Sequence, residues 1–296
     1  MDSTYSKDEE ANGHQLSANR LEQGAILLLD KPLTWTSFDV VRKVKNALRI
    51  AKIGHAGTLD PLATGLLILC TGKKTKQIDL IQAQEKEYVG TFRLGQTTPS
   101  FDRETAVDAE RPFAHLSAAE MEAAAAGFRG LIEQTPPLFS AVKVEGQRAY
   151  ELARKGETQA AMKSKTVEIK TFELTRIALP EVDFRVVCSK GTYIRSLARD
   201  LGAALGCGAH LTRLVRTRIG EFRLEDALSL DAVQALAPPR PVGAETGRRP
   251  RRERRPAPRA GLEYYAAQQA TAFQDASPAA FPTPPAPAEP AAENAA

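Results

Sequence analysis

From Pro238 onward the chain changes character abruptly: twelve of its nineteen prolines lie in this stretch, together with an arginine cluster from Arg248 to Arg255 and an Ala/Pro-rich end. Proline removes a backbone donor and the small side chains bring little apolar area, so 238–296 cannot bury a core and reads as a disordered tail. Residues 1–23 are acidic and polar without periodicity, and read as a disordered extension. Folding is thereby confined to 24–237, which is long enough for one substantial core. With 43% hydrophobic and 26% charged residues, the 296-residue chain has an ordinary globular composition, and a disulfide-stapled miniprotein is excluded.

The formal net charge of +4 is too small to mark a nucleic-acid binder, but it is unevenly spread. The first 23 residues carry −3, the tail carries +2, and the segment expected to fold carries +5. Cys70, Cys188 and Cys207 stand far apart, in odd number and without the paired spacing of a zinc site. A reducing cytoplasm is the expected compartment. The longest apolar runs, such as Ala25 to Leu29, have about five residues, against roughly 20 for a membrane helix. The polar N-terminus is no signal peptide.

Ala25 to Leu29 predicts a buried strand, stopped by Asp30-Lys31-Pro32. Thr36 or Ser37 can cap a helix with Phe38, Val41, Val44 and Leu48 on one face. Two glycines and a proline break Gly54-His55-Ala56-Gly57-Thr58-Leu59-Asp60-Pro61, which predicts a shaped loop. Leu66 to Cys70 predicts a second buried strand, Lys74 to Ala83 a short helix, and Glu87 to Leu94 a strand with Tyr88, Gly90, Phe92 and Leu94 on one side. Ala118 to Phe128 reads as a helix. Pro136 to about Lys165 collects Lys143, Arg148, Arg154, Lys155, Lys163 and Lys165, and predicts a basic arm or insertion. Val182 to Cys188 reads as a strand, Gly191 as a turn, and Thr192 as the cap of a helix with Ile194, Leu197, Ala198, Leu201 and Leu205 at helical spacing.

Gly72-Lys73-Lys74-Thr75 is no phosphate loop, because Leu67 stands where the first glycine is needed and Lys74 where Ser or Thr is needed. The segment from Gly54 to Asp60 is more informative. Its glycines let the backbone approach a ligand, and Pro61 fixes the chain after a lone carboxylate. Asp60 there can act as nucleophile or base, or can simply open an Asp-Pro turn. His55 can be functional or a hydrogen-bonded structural residue. Arg195 at a helix entrance can pair with a buried carboxylate or a phosphate, or remain solvated. Strand alternation alone already explains Tyr88.

The run from Gly54 to Gly65, GHAGTLDPLATG, resembles the signature loop of the tRNA pseudouridine-55 synthases, the TruB family. Three further blocks agree: Leu27-Leu28-Leu29-Asp30-Lys31-Pro32, Lys86-Glu87-Tyr88 with Leu94-Gly95, and Cys188-Ser189-Lys190-Gly191-Thr192-Tyr193-Ile194-Arg195. Together they stand in the family's order over about residues 24 to 228. The resemblance implies an α+β (mixed α/β) fold on a largely antiparallel central sheet, flanked by helices and loops. It implies an isomerase that detaches uracil from its ribose, rotates it and rejoins it through carbon 5, with no cofactor and no metal. Asp60 is implied as the nucleophile, and Arg195 as the partner that keeps it ionised. Tyr88 is implied to stack on the target base and help move a proton. Tyr193 and Leu214 would line the pocket, and Lys31 would brace the loop or a phosphate. His55 would prop the T loop of tRNA where uridine is flipped out. The segment 136–165, preceded by Gly130 to Glu133 and holding Pro136, Phe139 and Ser140, matches the family's RNA-gripping insertion. The implied partner is the T stem-loop of tRNA, with the protein a cytoplasmic monomer that needs no membrane and no obligatory protein partner.

The C-terminus departs from the family. Bacterial members usually continue into a small β-rich PUA-like RNA-binding domain, whereas 238–296 shows no alternating strands. Either the segment is a true tail that uses Arg248 to Arg255 as a loose electrostatic contact, or it results from a reading-frame change; an uninterrupted frame through Ala296 eliminates the second. Two other functions fit the same residues: an RNA-binding chaperone that opens and recloses the tRNA elbow, and a guide-RNA-dependent relative that shares the catalytic loop. Pseudouridine formation on bare tRNA separates both from the first reading.

Overall fold

The structure is a computed structural model that describes residues 18–140, 143–144, 147–149 and 162–237. Residues 1–17 of the expected N-terminal extension, the arm between 149 and 162, with Arg154 and Lys155, and the tail from 238 lie outside the described residues, whereas 18–23, expected to be disordered, form a short helix whose Leu21 is buried against Leu27 and Leu29. The fold is mixed α/β on a mainly antiparallel sheet, as the resemblance implies. In chain order the elements are α1 Ala18–Gln23, β1 Ile26–Lys31, α2 Ser37–Ala47, β2 Ile53–His55, β3 Ala63–Thr71, a 3-10 turn Gly72–Gln77, α3 Ile78–Ala83, β4 Lys86–Leu94, β5 Gln96–Thr97 and β6 Ala109–Glu110. Then come α4 Ala118–Ala126, β7 Gly130–Gln134, β8 Lys143–Val144, β9 Gln147–Arg148, β10 Lys165–Ala178, β11 Glu181–Cys188, α5 Ile194–Ala204, β12 Ala209–Ile219, β13 Phe222–Arg223 and α6 Leu230–Ala235.

One nine-stranded sheet organises these elements in the order β1-β3-β12-β4-β11-β10-β7, with β2 added to β3 and β13 to β12. Strand β3 is covered on both faces. Leu67 and Leu69 enter a cluster with Leu27, Leu29, Val40 and Val44, while Leu66, Ile68 and Cys70 enter another with Ile81, Ile219 and Phe222. A strand buried on both sides needs an unbroken apolar run, which is why Leu66 to Cys70 does not alternate. Strand β4 does alternate as expected: Tyr88, Gly90, Phe92 and Leu94 are buried. Its Phe92 stacks on Phe184 with ring centroids 3.9 Å apart, and Ile194, Leu197, Ala198 and Leu201 of α5 join the same cluster.

Four local expectations are corrected. In α2, capped by Thr36 Oγ1 accepting from Asp39 N at 3.0 Å, the buried row is Ser37, Val40 and Val44, while Phe38 is 68% exposed. Ser37 turns inward because its hydroxyl donates to Leu59 O at 3.1 Å and accepts from Leu59 N at 2.9 Å. Residue 38 is rotated by about 100° from it and therefore faces out. The loop from Gly54 opens as an edge strand, since Ile53–His55 pairs with β3. The helix expected over Lys74 to Ala83 divides into a 3-10 turn and α3. Thr192 does not cap α5, because its hydroxyl donates to Ser189 O at 3.0 Å. The helix entrance is held instead by Gln134, whose side chain accepts from Tyr193 N at 2.7 Å and donates to Tyr193 O at 3.1 Å.

The only parallel ladder among the described strands joins β3 to β12, pairing Ala63, Thr64 and Gly65 with Leu214, Val215 and Arg216. At this seam Gly65 takes φ +95°, and a Cβ there would lie 2.4 Å from Arg216 O. Any side chain must push the two strands apart and strain the backbone as well. Gly65→Ala is expected to cost about 2 kcal/mol or more, read as a lower urea midpoint at unchanged slope; a midpoint equal to that of the parent chain contradicts the constraint.

Candidate active site

The loop that carries Asp60 is fastened by groups from three directions. From β1, the Lys31 ammonium, fully buried, donates to Pro32 O at 3.0 Å, Trp35 O at 2.6 Å and Pro61 O at 3.3 Å. From β12, the Arg216 guanidinium, 1% exposed, donates to Leu66 O at 2.8 Å, Gly57 O at 3.0 Å and Thr58 O at 3.4 Å. From α2, Ser37 holds Leu59. Each of these cations satisfies carbonyls that would otherwise be orphaned in a loop without a ladder of its own. Burial pushes the Lys31 pKa down to about 7, against the pull of Asp60. Of the two roles expected for Lys31, bracing the loop is the one its geometry serves; its amine has no exposed face to offer a phosphate.

Asp60 itself is 41% exposed on its side chain and accepts an ion pair from Arg195, Nε to Oδ2 at 2.9 Å. Arg195 comes from the first turn of α5 and is 4% exposed. The same Nε lies 3.6 Å from Asp102 Oδ2, while the two terminal nitrogens donate to Ser100 O at 3.2 Å and Phe139 O at 2.9 Å. One planar fork thus gathers the Asp60 loop, the turn around Asp102 and the segment entering the basic arm. Burial works against the Arg195 charge, yet Asp60, Asp102 and Glu104 hold its pKa above the ordinary arginine value. Asp102 is buried; desolvation raises its carboxyl to about 6 despite Arg195 and the amide of Glu104, which donates at 2.8 Å.

Tyr88, Leu214, Leu59, Ala63 and Ile194 share one apolar cluster around this pair. Tyr88 stands opposite Arg216 in the β4–β12 ladder, and Leu214 stands opposite Gly90. Burial raises the Tyr88 pKa, and the neighbouring Asp60 charge adds to the rise, so the phenol stays protonated. Tyr193 is half-buried, its pKa raised by desolvation and by Asp60. His55 sits at the end of β2 with Nε2 3.2 Å from Thr58 Oγ1; burial and then Arg216 lower its pKa, which favours neutral imidazole. The fold therefore brings Asp60, Arg195, Tyr88, Leu214, Tyr193, Lys31 and His55 to one region. It adds four groups that the sequence did not assign to the site: Asp102, Arg216, Gln134 and Ser37, the last read only as a possible helix cap. Asp102 and Arg216 lie in ordinary charged stretches, SFDRET and VRTRIG, where nothing marks one charge as buried. Among the described residues, no cluster of three or more His, Cys, Asp or Glu side chains is arranged to hold a metal ion, and no helix is long and apolar enough to cross a membrane.

Residues 45–194 match the family described as TruB family pseudouridylate synthase (N terminal domain), and residues 195–239 match the tRNA pseudouridylate synthase B C-terminal domain. The chain belongs to the TruB family. It is 55% identical over 217 residues to tRNA pseudouridine synthase B of Phocaeicola vulgatus, covering 71% of this chain and 92% of the relative. A protein of the same name from Parabacteroides distasonis is 56% identical over 216 residues, again covering 92% of the relative. Less than a tenth of either TruB relative's length falls outside the match. Among solved structures, the TruB chain is similar to one in the Nop10–Cbf5 complex of an archaeal box H/ACA sRNP, with a TM-score of 0.55 and 26% identity, covering 79% of this chain and 60% of that one. A Cbf5–Nop10–Gar1 complex gives 0.56 and 30%, covering 76% and 58%. This TruB-family chain is thus an enzyme of the isomerase class.

The raised Asp102 carboxyl has a consequence for stability. Because its folded pKa, about 6, lies above the ordinary aspartate value of about 3.9, the native state binds more protons between these values, and unfolding free energy falls as pH rises through that window. Asp102→Asn removes this contribution. The difference in urea midpoint, parent minus variant, is expected to decline from pH 4 to pH 6 and level off above; a difference constant across the window contradicts a desolvated carboxyl at this position.

Proposed function

We propose that this enzyme converts uridine 55 in the T loop of tRNA to pseudouridine, with Asp60 as the nucleophile. The observation that carries the reading is the ion pair between Arg195 and a carboxylate that is itself partly open, set beside a buried tyrosine in an otherwise apolar pocket. A buried guanidinium, which keeps its charge, anchors the carboxylate in place, and the half-open position leaves room for a nucleoside.

The reaction needs no atom from outside the substrate. The bond from C1′ to N1 breaks, the uracil ring turns in the pocket, the bond from C1′ to C5 forms, the C5 proton departs and N1 ends protonated. Asp60 stabilises or captures C1′ while the base is detached. Tyr88, Tyr193 and Leu214 confine the free ring, so that it turns without escaping to water. A base inside a folded loop must leave its stack before any of this begins, which requires flipping. His55 and Thr58, beside Asp60, are placed to support the loop from which the base departs. The two relatives' names support tRNA as the substrate, and their similarity over 92% of their length favours this over a guide-dependent role. The enzyme works in the cytoplasm as a monomer, on bare tRNA, gripping the T stem-loop with the segment 136–165 and without cofactor or metal. Residues 24–237 form the catalytic domain.

Mapping pseudouridine in unmodified tRNA after incubation with the purified protein tests the reading: modification at position 55 without added guide RNA is expected. Asp60→Asn is expected to bind tRNA with unchanged affinity and to form no product; turnover by this variant removes Asp60 from the chemistry. Arg195→Lys is expected to lower the saturated rate by about 10²-fold or more, because a point charge cannot hold four acceptors on three segments. A rate near that of the parent chain contradicts the proposed role of Arg195.

A further inference from the structure

Between Asp39 and Asp60 the chain holds Arg42, Lys43, Lys45, Arg49 and Lys52 and no acidic residue. Phe38, Arg42 and Lys45 follow at intervals of four and three, which aligns them along one outer face of α2, and Arg49 follows in the turn just past its end. All four are exposed. Arg42 is paired with Asp39 at 2.9 Å, whereas Lys45 and Arg49 have no carboxylate partner among the described residues. The stripe continues past the helix. Lys52 O accepts from Gly72 N at 3.0 Å, which brings exposed Lys73 and Lys76 of the 3-10 turn alongside exposed Lys52.

The position of the stripe matters as much as its charge. Ser37 is bonded to Leu59, next to Asp60, so the exposed ring of Phe38 stands at the edge of the catalytic loop and the cations run away from it. Helix α2 packs over β1 and β3 at one end of the sheet, whereas the segment leading into the basic arm leaves from β7 at the other end. A large aromatic left in water one residue from a buried anchor has no packing role, and cations without acids form no surface network. An aromatic ring followed by a line of free cations is the chemistry that takes a base on its face and phosphates along its length.

Resting on the tRNA reading above, we propose that the outer face of α2 is a second RNA-binding surface, with Phe38 stacking on a base near the extruded uridine and Lys45, Arg49 and Lys52 contacting phosphates of the adjoining stem. The RNA is then held from both ends of the sheet. Acidic lipid and acidic protein share the charge complementarity but offer no planar partner for Phe38 beside the catalytic loop.

The full-length protein and an unmodified tRNA transcript serve for the test, with affinity followed over a salt series and pseudouridine over a single turnover. Phe38→Ala is expected to weaken tRNA binding by about tenfold, with Phe38→Trp restoring it. The double variant Lys45→Ala/Arg49→Ala is expected to reduce the salt slope by about 2, one per lost phosphate contact, and the saturated single-turnover rate should stay within about twofold. Bound tRNA should also protect Lys45 of the unsubstituted protein from acetylation. Unchanged affinity and salt slope in both variants, or equal acetylation with and without tRNA, overturns the proposal, as does loss of binding to anionic vesicles with tRNA binding intact. Failure of the parent protein to form pseudouridine overturns the catalytic reading instead, while its tRNA affinity still reports on α2.

Discussion

The guanidinium of Arg195 is the point through which the site is assembled. It is almost wholly buried, and a buried cation is tolerable only when every direction of its fork finds an acceptor. Four acceptors from three segments meet it: Asp60, Asp102 with Ser100 O, and Phe139 O. None of these segments is regular secondary structure where it touches Arg195. The cation therefore does what a sheet ladder does elsewhere, fixing loops that have no bonds of their own to fix them. Asp102 gives the charge a second buried carboxylate, so Arg195 does not depend on Asp60 alone, and Asp60 is free to turn toward a ligand.

Around that node the fold supplies rigidity from opposite sides. Lys31 and Arg216 close the loop from β1 and β12 by binding its carbonyls, and the parallel seam through Gly65 sets how near those strands come. A side chain held in this way pays little to reorganise when substrate arrives, which is the general condition for a preorganised site. The cost of burial is visible in the lowered pKa of Lys31 and the raised pKa of Asp102. Both charges are held where isolated they would not persist.

Much of this was legible in the chain before folding. The shaped loop around Asp60 follows from two glycines and a proline, the buried strand from the run Leu66 to Cys70, and the core face of α5 from the spacing of Ile194, Leu197, Ala198 and Leu201. The role of Arg195 was open, since a first-turn arginine can equally face solvent, and only the tertiary position of Asp60 and Asp102 decides between them. The burial of Arg216 and Asp102 left no local trace, because a charge buried by partners far along the chain, Leu66 and Gly57 for Arg216 and Arg195 for Asp102, reads like any surface charge in a one-dimensional pattern. Phe38 illustrates the opposite error. Apolar spacing placed it in the core, but the hydroxyl of Ser37 was the true inward group, and a polar anchor is invisible to a hydrophobic pattern.

A pocket presented by one node, with the strand β7 at one end of the sheet and the α2 stripe at the other, is the geometry on which the proposed recognition of a protruding nucleoside rests. The most direct test is a crystal structure of the protein with a T stem-loop RNA. A uridine turned out of the loop, its C1′ within about 3.5 Å of the Asp60 carboxylate and the Arg195 pair intact, is the expected arrangement. An Asp60 side chain turned to bulk water, with Arg195 bound elsewhere and no ribose near either, would contradict it.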